Sequence, residues 1–316
     1  MALSYYFIVN PKSGSSANIA GVRDLRDYLR SGDCKVHLEL TRSLEHAGEL
    51  AHQAMAAEVE VVVVAGGDGT VRTVVDAMVG SDLPILIIPC GTENLLACEL
   101  GLDGLLKTTI HTLEHGLLRN LDLGQADGKH FMAILGVGFD AEVVRRVHSQ
   151  RSGHITPAGY IWPICRTFWE HRFPHLRVEA DGQLLCDEPA MVFVSNISRY
   201  AIGLGISRAA DFGDGMLDLC IYKCNSHLRL ISHAAQTAWG TSDKSKMVIR
   251  RKCKNISISS PEPGARVQLD GDPGPSLPLD IEVIPTAVKV LTPPPPGHNQ
   301  YHPPVRFYHL RRWLLR

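Results

Sequence analysis

The feature that most constrains this chain is a short stretch. A run of four valines, Val61 to Val64, passes through Ala65 into Gly66-Gly67-Asp68-Gly69-Thr70 and then into the helical spacing of Val71 to Met78. Four consecutive β-branched residues suit a strand buried on both faces, as in a parallel sheet covered by helices. Glycines where such a strand turns into a helix let the backbone approach a ligand closely. The amides that open the helix then bring partial positive charge to bear on an anion. Asp68, projecting from the turn, is placed to position Mg²⁺ or the water around it. An isolated glycine-rich turn can equally be plain backbone geometry.

This turn is not isolated. Asn10-Pro11-Lys12-Ser13-Gly14 ends a strand pattern at Tyr5 to Val9, and Pro89-Cys90-Gly91-Thr92-Glu93-Asn94 ends one at Leu83 to Ile88. With Val36 to Leu40 and Val59 to Ala65 these read as short strands, mostly buried. Between them Ile19, Val22, Leu25 and Leu29 recur at helical spacing, and Ser43 is a natural N-cap for the segment running to Ala57. The β-α-β-α order predicts a largely parallel sheet with helices on both faces. Such sheets bind ligands beyond the carboxyl ends of their strands, so the three small polar turns are expected to converge on one crevice.

After about Asn120 the texture changes. Asp127-Gly128 and Asp181-Gly182 each supply the turn that two-residue hairpins favour. Strand patterns follow at Leu217 to Tyr222, Met247 to Ile249, Ile256 to Ser259, Val267 to Asp270 and Leu279 to Ile284, with helical stretches near Ile155 to Glu170 and His227 to Trp239. The fold class expected is α/β: an N-terminal Rossmann-like parallel-sheet domain over residues 1–120, and a C-terminal antiparallel β-sandwich over 121–291. Pro293 to Pro296 end the folded body, leaving 292–316 as a proline-rich linker and a basic amphipathic tail. A length of 316 residues with 45% hydrophobic and 21% charged composition suits two globular domains.

A formal net charge of −1 supplies no global field toward nucleic acid, which is excluded as a partner. No basic-then-apolar leader opens the chain, and no apolar run reaches the ~20 residues of a membrane span, so a cytoplasmic protein is expected. The eight cysteines include no C-x-x-C pair and read as reduced packing thiols, Cys220 and Cys224 among them. The histidines form no H-E-x-x-H pattern.

Taken together, Asn10 to Gly14, Gly66 to Thr70 and Gly91 to Asn94 resemble, in order and spacing, the diacylglycerol kinase catalytic domain shared with sphingosine and ceramide kinases. Gly136-Val137-Gly138-Phe139-Asp140-Ala141-Glu142, Asp214-Gly215-Met216-Leu217-Asp218 and Asp270-Gly271-Asp272 resemble motifs of that family's second domain, carrying the likeness to Leu291. The resemblance implies a first domain of the phosphofructokinase and NAD-kinase type that carries ATP and a C-terminal β-sandwich, with a lipid substrate expected to enter between them. By motif, Asn10, Ser13, Gly67, Gly69, Thr70 and Thr92 would line the triphosphate, together with Gly14, Gly66, Gly91 and Asn94 of the same turns; Thr41 would lie near the nucleotide. Asp68 would organise Mg²⁺ and serve catalysis, Asp218 would be an acidic metal-site residue, and Asp272 would be the general base.

Three departures mark the chain against the family's usual pattern: Arg72-Thr73 stand for Asn-Glu, Leu95 for an Asp common in bacterial diacylglycerol kinases, and Asp272 for Glu. The expected activity is ATP-dependent phosphorylation of a hydroxyl of diacylglycerol or a related lipid. The alternatives are a kinase of this fold acting on a soluble acceptor, and a nucleotide- and lipid-binding protein without turnover. In the tail, Val305, Phe307, Tyr308, Leu310, Trp313, Leu314 and Leu315 interleave with four arginines. That pattern is expected to give peripheral contact at the inner membrane face, or else to pack on the folded body. The sequence leaves room for a homodimer.

Overall fold

The structure, a computed structural model, describes residues 3–14, 16–149, 161–200, 206–242 and 245–295. The chain divides into two compact units, one of residues 1–121 with the chain from Thr286 onward, the other Asp122–Pro285. The proline-rich tail lies outside the described residues beyond 295, as do 155–160 of the helical stretch expected near Ile155.

In the first unit strands and helices alternate: β1 (Ser4–Val9), α1 (Ser16–Ser31), β2 (Lys35–Leu40), α2 (Leu44–Ala56), β3 (Val61–Gly66), α3 (Asp68–Ala77), β4 (Ile85–Pro89), α4 (Leu95–Glu99), α5 (Leu106–His115) and β5 (Leu117–Ala126), the last passing into the second unit. The parallel order is β2-β1-β3-β4, with Val9 opposite Leu40 and Ala65, and Gly66 opposite Pro89. Every residue of β3 is buried. β2 is not the buried strand its sequence suggested: it pairs only with β1, and Leu40 at its end is exposed. An edge strand has one neighbour to cover it, whatever its composition.

The helices cover the sheet with the faces their spacing predicts. In α2, Ala47, Leu50, Ala51 and Ala54 are buried, and the Ser43 hydroxyl caps the helix by accepting from the His46 amide. In α3 the buried face is Thr70, Val71, Val74 and Val75, and the helix begins at Asp68, three residues before the valine spacing starts.

The second unit continues with β6 (Lys129–Phe131), β7 (Ile134–Val137), α6 (Phe139–Ser149), α7 (Ile161–Glu170), β8 (His175–Ala180), β9 (Gln183–Ser195), β10 (Leu217–Lys223), α8 (His227–Ala238), β11 (Val248–Cys253), β12 (Asn255–Ser259), β13 (Val267–Leu269), β14 (Asp272–Pro273) and β15 (Leu279–Thr292). It is an antiparallel sandwich whose two sheets share β9. Gln183 to Pro189 pairs with β8, whereas Ala190 to Ser195 pairs with β10 and β7. A strand that changes sheets in this way makes the corner of a sandwich. Val192 and Val194 point into the core between the sheets with Val178, Ile256 and Ile281. Met191 and Phe193, alternating with them, pack outward with Tyr222 and with Leu230 of α8.

Three Asp-Gly pairs close two-residue hairpins: Asp127-Gly128, Asp181-Gly182 and Asp270-Gly271 each have both φ angles positive, between 47° and 83°. This is the conformation in which glycine and aspartate are tolerated best. The domain division differs from the sequence expectation at its far end. Residues 286–291, expected in the sandwich, belong to the first unit, where Val290 of β15 lies parallel to Ile85 of β4.

Candidate active site

The order β2-β1-β3 places the topological switch point of the first unit between β1 and β3, where the direction of winding reverses and open α/β sheets bind their ligands. Two of the three turns meet there. The Asn10 side-chain amide donates to the Thr70 hydroxyl at 2.8 Å, and the Gly67 amide donates to the Ser13 hydroxyl at 3.3 Å. Asn10 also accepts from the Lys12 amide at 3.0 Å, which closes its own turn. Thr41, buried at the end of β2, donates its amide to Val9 and so stands one strand further along.

The third turn is joined to the second by bare backbone. A Cβ placed on Gly91 would lie 2.7 Å from the Gly67 Cα, and one on Gly67 would lie 3.2 Å from the Gly91 Cα. A side chain at either position would fill the space between the turns. Gly66 is required for a different reason: a Cβ there would meet the Thr70 Cβ at 2.7 Å. Gly69 faces open space, Gly14 is exposed with φ at 82°, and Thr92 is exposed at the tip of its turn.

Asp68 does more than project from the turn. Its two carboxylate oxygens accept the amides of Asn94 at 2.9 Å and Leu95 at 2.8 Å, at the start of α4. Asn94, left-handed at φ 50°, closes the turn on itself by accepting from the Gly91 amide and donating to the Gly91 carbonyl, both at 2.8 Å. Asn10, Ser13, Gly66, Gly67, Asp68, Thr70, Gly91 and Asn94 therefore form one constellation of touching turns. Two of the departing residues take part in local contacts. Thr73 bonds the Gly69 carbonyl and lays its methyl against Gly48 of α2, while Leu95 meets Asp68 through its amide.

A triphosphate fits beside this constellation, because the amides that open α3 stand at the strand ends next to the Ser13 and Thr70 hydroxyls, where glycines keep side chains away. Mg²⁺ fits as an ion carried by phosphates, with Asp68 a carboxylate of the turns that could meet it or its water. No three His, Cys, Asp or Glu side chains among the described residues converge into a protein cage.

In the second unit the three motifs acquire different roles. Asp272 is the first residue of β14, half-buried, with a carboxylate oxygen 3.6 Å from Nδ1 of His148 on α6. Asp270, two residues earlier, is an anchor: its carboxylate accepts the amides of Met132, Ala133 and Ile134 at 2.8 to 2.9 Å. The Asp-Gly turn is thus an ordinary hairpin turn, and it also delivers Asp272 to the strand beyond it.

Asp218, expected at a metal site, has protein partners in the described fold. It is buried, accepts from Ser207 at 2.9 Å and lies 3.6 Å from the Lys252 ammonium, which also pairs with Asp214. Burial raises the Asp218 pKa against the opposing pull of Ser207 and Lys252.

Asp140 was quoted in sequence without a role. It is a buried carboxyl bonded by the Tyr200 hydroxyl and by the Gln268 amide at 3.0 Å, with its pKa raised by desolvation. The signal was Gly136, four residues earlier: a Cβ there would come within 2.3 Å of an Asp140 oxygen. The packing role expected of the cysteines holds for six of them. Cys98 and Cys165 are exposed, whereas Cys220 is sealed in the sandwich with its pKa pushed up to about 11 by burial.

Comparison with known proteins agrees with this anatomy. Residues 4–126 match the diacylglycerol kinase catalytic domain, and residues 133–292 match the YegS C-terminal NAD kinase beta sandwich-like domain. A diacylglycerol kinase of Mycobacterium tuberculosis is 28% identical over 294 residues, spanning 90% of this chain and 94% of its own. One from Bacillus subtilis is 26% identical over 291 residues, spanning 90% and 95%. A crystal structure of a diacylglycerol kinase from Bacillus anthracis superposes with a TM-score of 0.71 at 25% identity, over 92% of this chain and 97% of that one. The chain belongs to the diacylglycerol kinase family in its two-domain form, a diacylglycerol kinase catalytic domain followed by a NAD kinase-like β-sandwich.

Proposed function

We propose that this protein transfers the γ-phosphate of ATP to a hydroxyl of diacylglycerol or a related lipid. The observation that carries the reading is the close approach of Gly67 and Gly91, flanked by Asn10, Ser13 and Thr70 at the switch point of a parallel sheet. Backbone amides opening α3 would hold the phosphates, and Asn10 orients the Thr70 hydroxyl beside them. Asp68, by fixing the Asn94 and Leu95 amides, sets the Gly91 turn at its distance from Gly67. Mg²⁺ bound with the nucleotide would neutralise charge on the transferring phosphoryl group.

A lipid hydroxyl ionises far above neutral pH, so a carboxylate must take its proton as the bond to phosphorus forms. Asp272 is proposed for that role. It follows a turn held rigid by the three amides on Asp270, and His148 lies beside it. Relatives named as diacylglycerol kinases support this substrate class.

The test is incubation with labelled ATP, Mg²⁺ and a total lipid extract, with identification of the labelled product and Asp68→Ala as the control. A labelled lipid made by the parent and not by the variant supports the reading. Label appearing only in a soluble acceptor, or nucleotide binding with no transfer across the extract, would overturn it.

A further inference from the structure

Two helices of the second unit carry an apolar surface that nothing in the described fold covers. Trp162 is 67% exposed and Trp169 77% on α7, while Leu228 is 80% and Ile231 53% exposed on α8, with Trp239 at its C-cap 79% exposed. These are side chains that a soluble surface seldom leaves open together. On α7, Trp162, Arg166 and Trp169 recur at i, i+4 and i+7 on the solvent side, opposite the buried Pro163 and Thr167. On α8, Leu228 and Ile231 lie opposite the buried Leu230, His233 and Thr237.

Both helices set their inner faces into one cluster, where Phe168 of α7 and Leu230 of α8 pack with Phe193 and Tyr222. Their outer faces therefore look away from the same layer. The stripes also join: His227, which precedes Leu228, has its ring 4.9 Å from that of Phe168 and 6.3 Å from that of Trp169.

On these two helices arginine outnumbers carboxylate. Glu170 is the only carboxylate in α7, α8 and Trp239, and both its oxygens are held by arginines, Arg146 and Arg166. Arg166, Arg172 and Arg229 stand exposed around the aromatic residues. Tryptophan with arginine is the composition of the bilayer interface, where an indole seats its apolar ring among acyl chains and its N–H among headgroups, and guanidinium meets lipid phosphate. Resting on the proposed action upon a lipid, we propose that the outer face of α7 and α8 docks this protein on an anionic bilayer. The face sits on the folded sandwich and does not need the C-terminal tail that the sequence singled out.

Tryptophan itself provides the readout. The chain has four, and three of them, Trp162, Trp169 and Trp239, lie on this face; the fourth, Trp313, is in the tail. The full-length protein is mixed with phosphatidylcholine vesicles containing phosphatidylglycerol and brominated acyl chains, without ATP. Quenching of fluorescence is expected and should persist in Trp313→Phe. The triple variant W169S/L228S/W239S should lose sedimentation with these vesicles by ~10-fold or more, because several large side chains no longer leave water. Binding should fall with salt and be weak on pure phosphatidylcholine.

Quenching that vanishes in Trp313→Phe alone would assign docking to the tail and overturn the inference. So would unchanged vesicle binding by the triple variant, or a dimer that it converts to monomer with vesicle binding intact, which marks an interface between copies. Because no turnover enters these measurements, a protein that docks through this face yet phosphorylates no lipid defeats the proposed activity and not the docking.

Discussion

Two aspartates two residues apart divide anchoring from chemistry, and the division can be measured. Asp270 satisfies three backbone amides, so Asp270→Ala leaves those donors without their acceptor and should cost about 3 kcal/mol, read as a lower urea midpoint. Asp272→Asn removes a proton acceptor while keeping the size of the side chain. It should leave the midpoint nearly unchanged while lowering kcat ~10²-fold with nucleotide affinity retained. An effect on KM alone would move the base elsewhere. His171 offers a second residue-scale test. Burial lowers its pKa from 6.5 to about 4, an effect the Glu142 carboxylate opposes and His227 reinforces. Above pH 6.5 both folded and unfolded imidazoles are neutral; as pH falls from 6.5 through 4 the unfolded chain takes up the proton first, so stability drops across that window. His171→Phe should flatten this part of the stability–pH curve, measured by thermal unfolding at a series of pH values.

At the scale of elements, the site is a contact between turns. Each turn is set by the strand before it, and the registers of β1, β3 and β4 bring Asn10, Gly66 and Cys90 level at one edge of the sheet. The Gly67–Gly91 approach then depends on having no Cβ. Gly91→Ala puts a methyl 2.7 Å from a backbone carbon, a clash that side-chain rotation cannot relieve. Nucleotide affinity should fall by at least ~10-fold, measured by calorimetry, because the cradle opens by the width of a methyl group. Gly69→Ala is the contrast, since its Cβ would meet nothing within 4 Å, and it should have a far smaller effect on the turn contact.

At the scale of the whole molecule, β15 makes the two units a matter of chain return. Its first half pairs with β12 in the sandwich, and its second half brings buried Val288, Val290 and Leu291 into the first unit. The Thr292 hydroxyl reaches the Leu117 carbonyl there, and Lys289 pairs with Asp82. Truncation after Pro285 strips the first unit of a strand and should unfold it, a loss seen as ATP-binding and cooperative melting disappearing together. If the shorter chain still binds ATP and melts cooperatively, the return strand is dispensable.

The sequence by itself determined the local chemistry. Three Asp-Gly pairs became three hairpins, Ser43 became an N-cap, and the turns at Asn10, Gly66 and Gly91 landed at the ends of parallel strands, because backbone preference and side-chain period act within a few residues. What needed tertiary structure was every property that depends on a distant neighbour. That β2 is an edge, that Asp68 grips Asn94 and Leu95, that Lys252 lies beside Asp218, and that residues 286–291 return to the first unit all turn on contacts across the fold. A carboxylate reads the same in sequence whether amides, a lysine or an ion will meet it; the folded chain chooses the partner, because burying a charge obliges the structure to supply one.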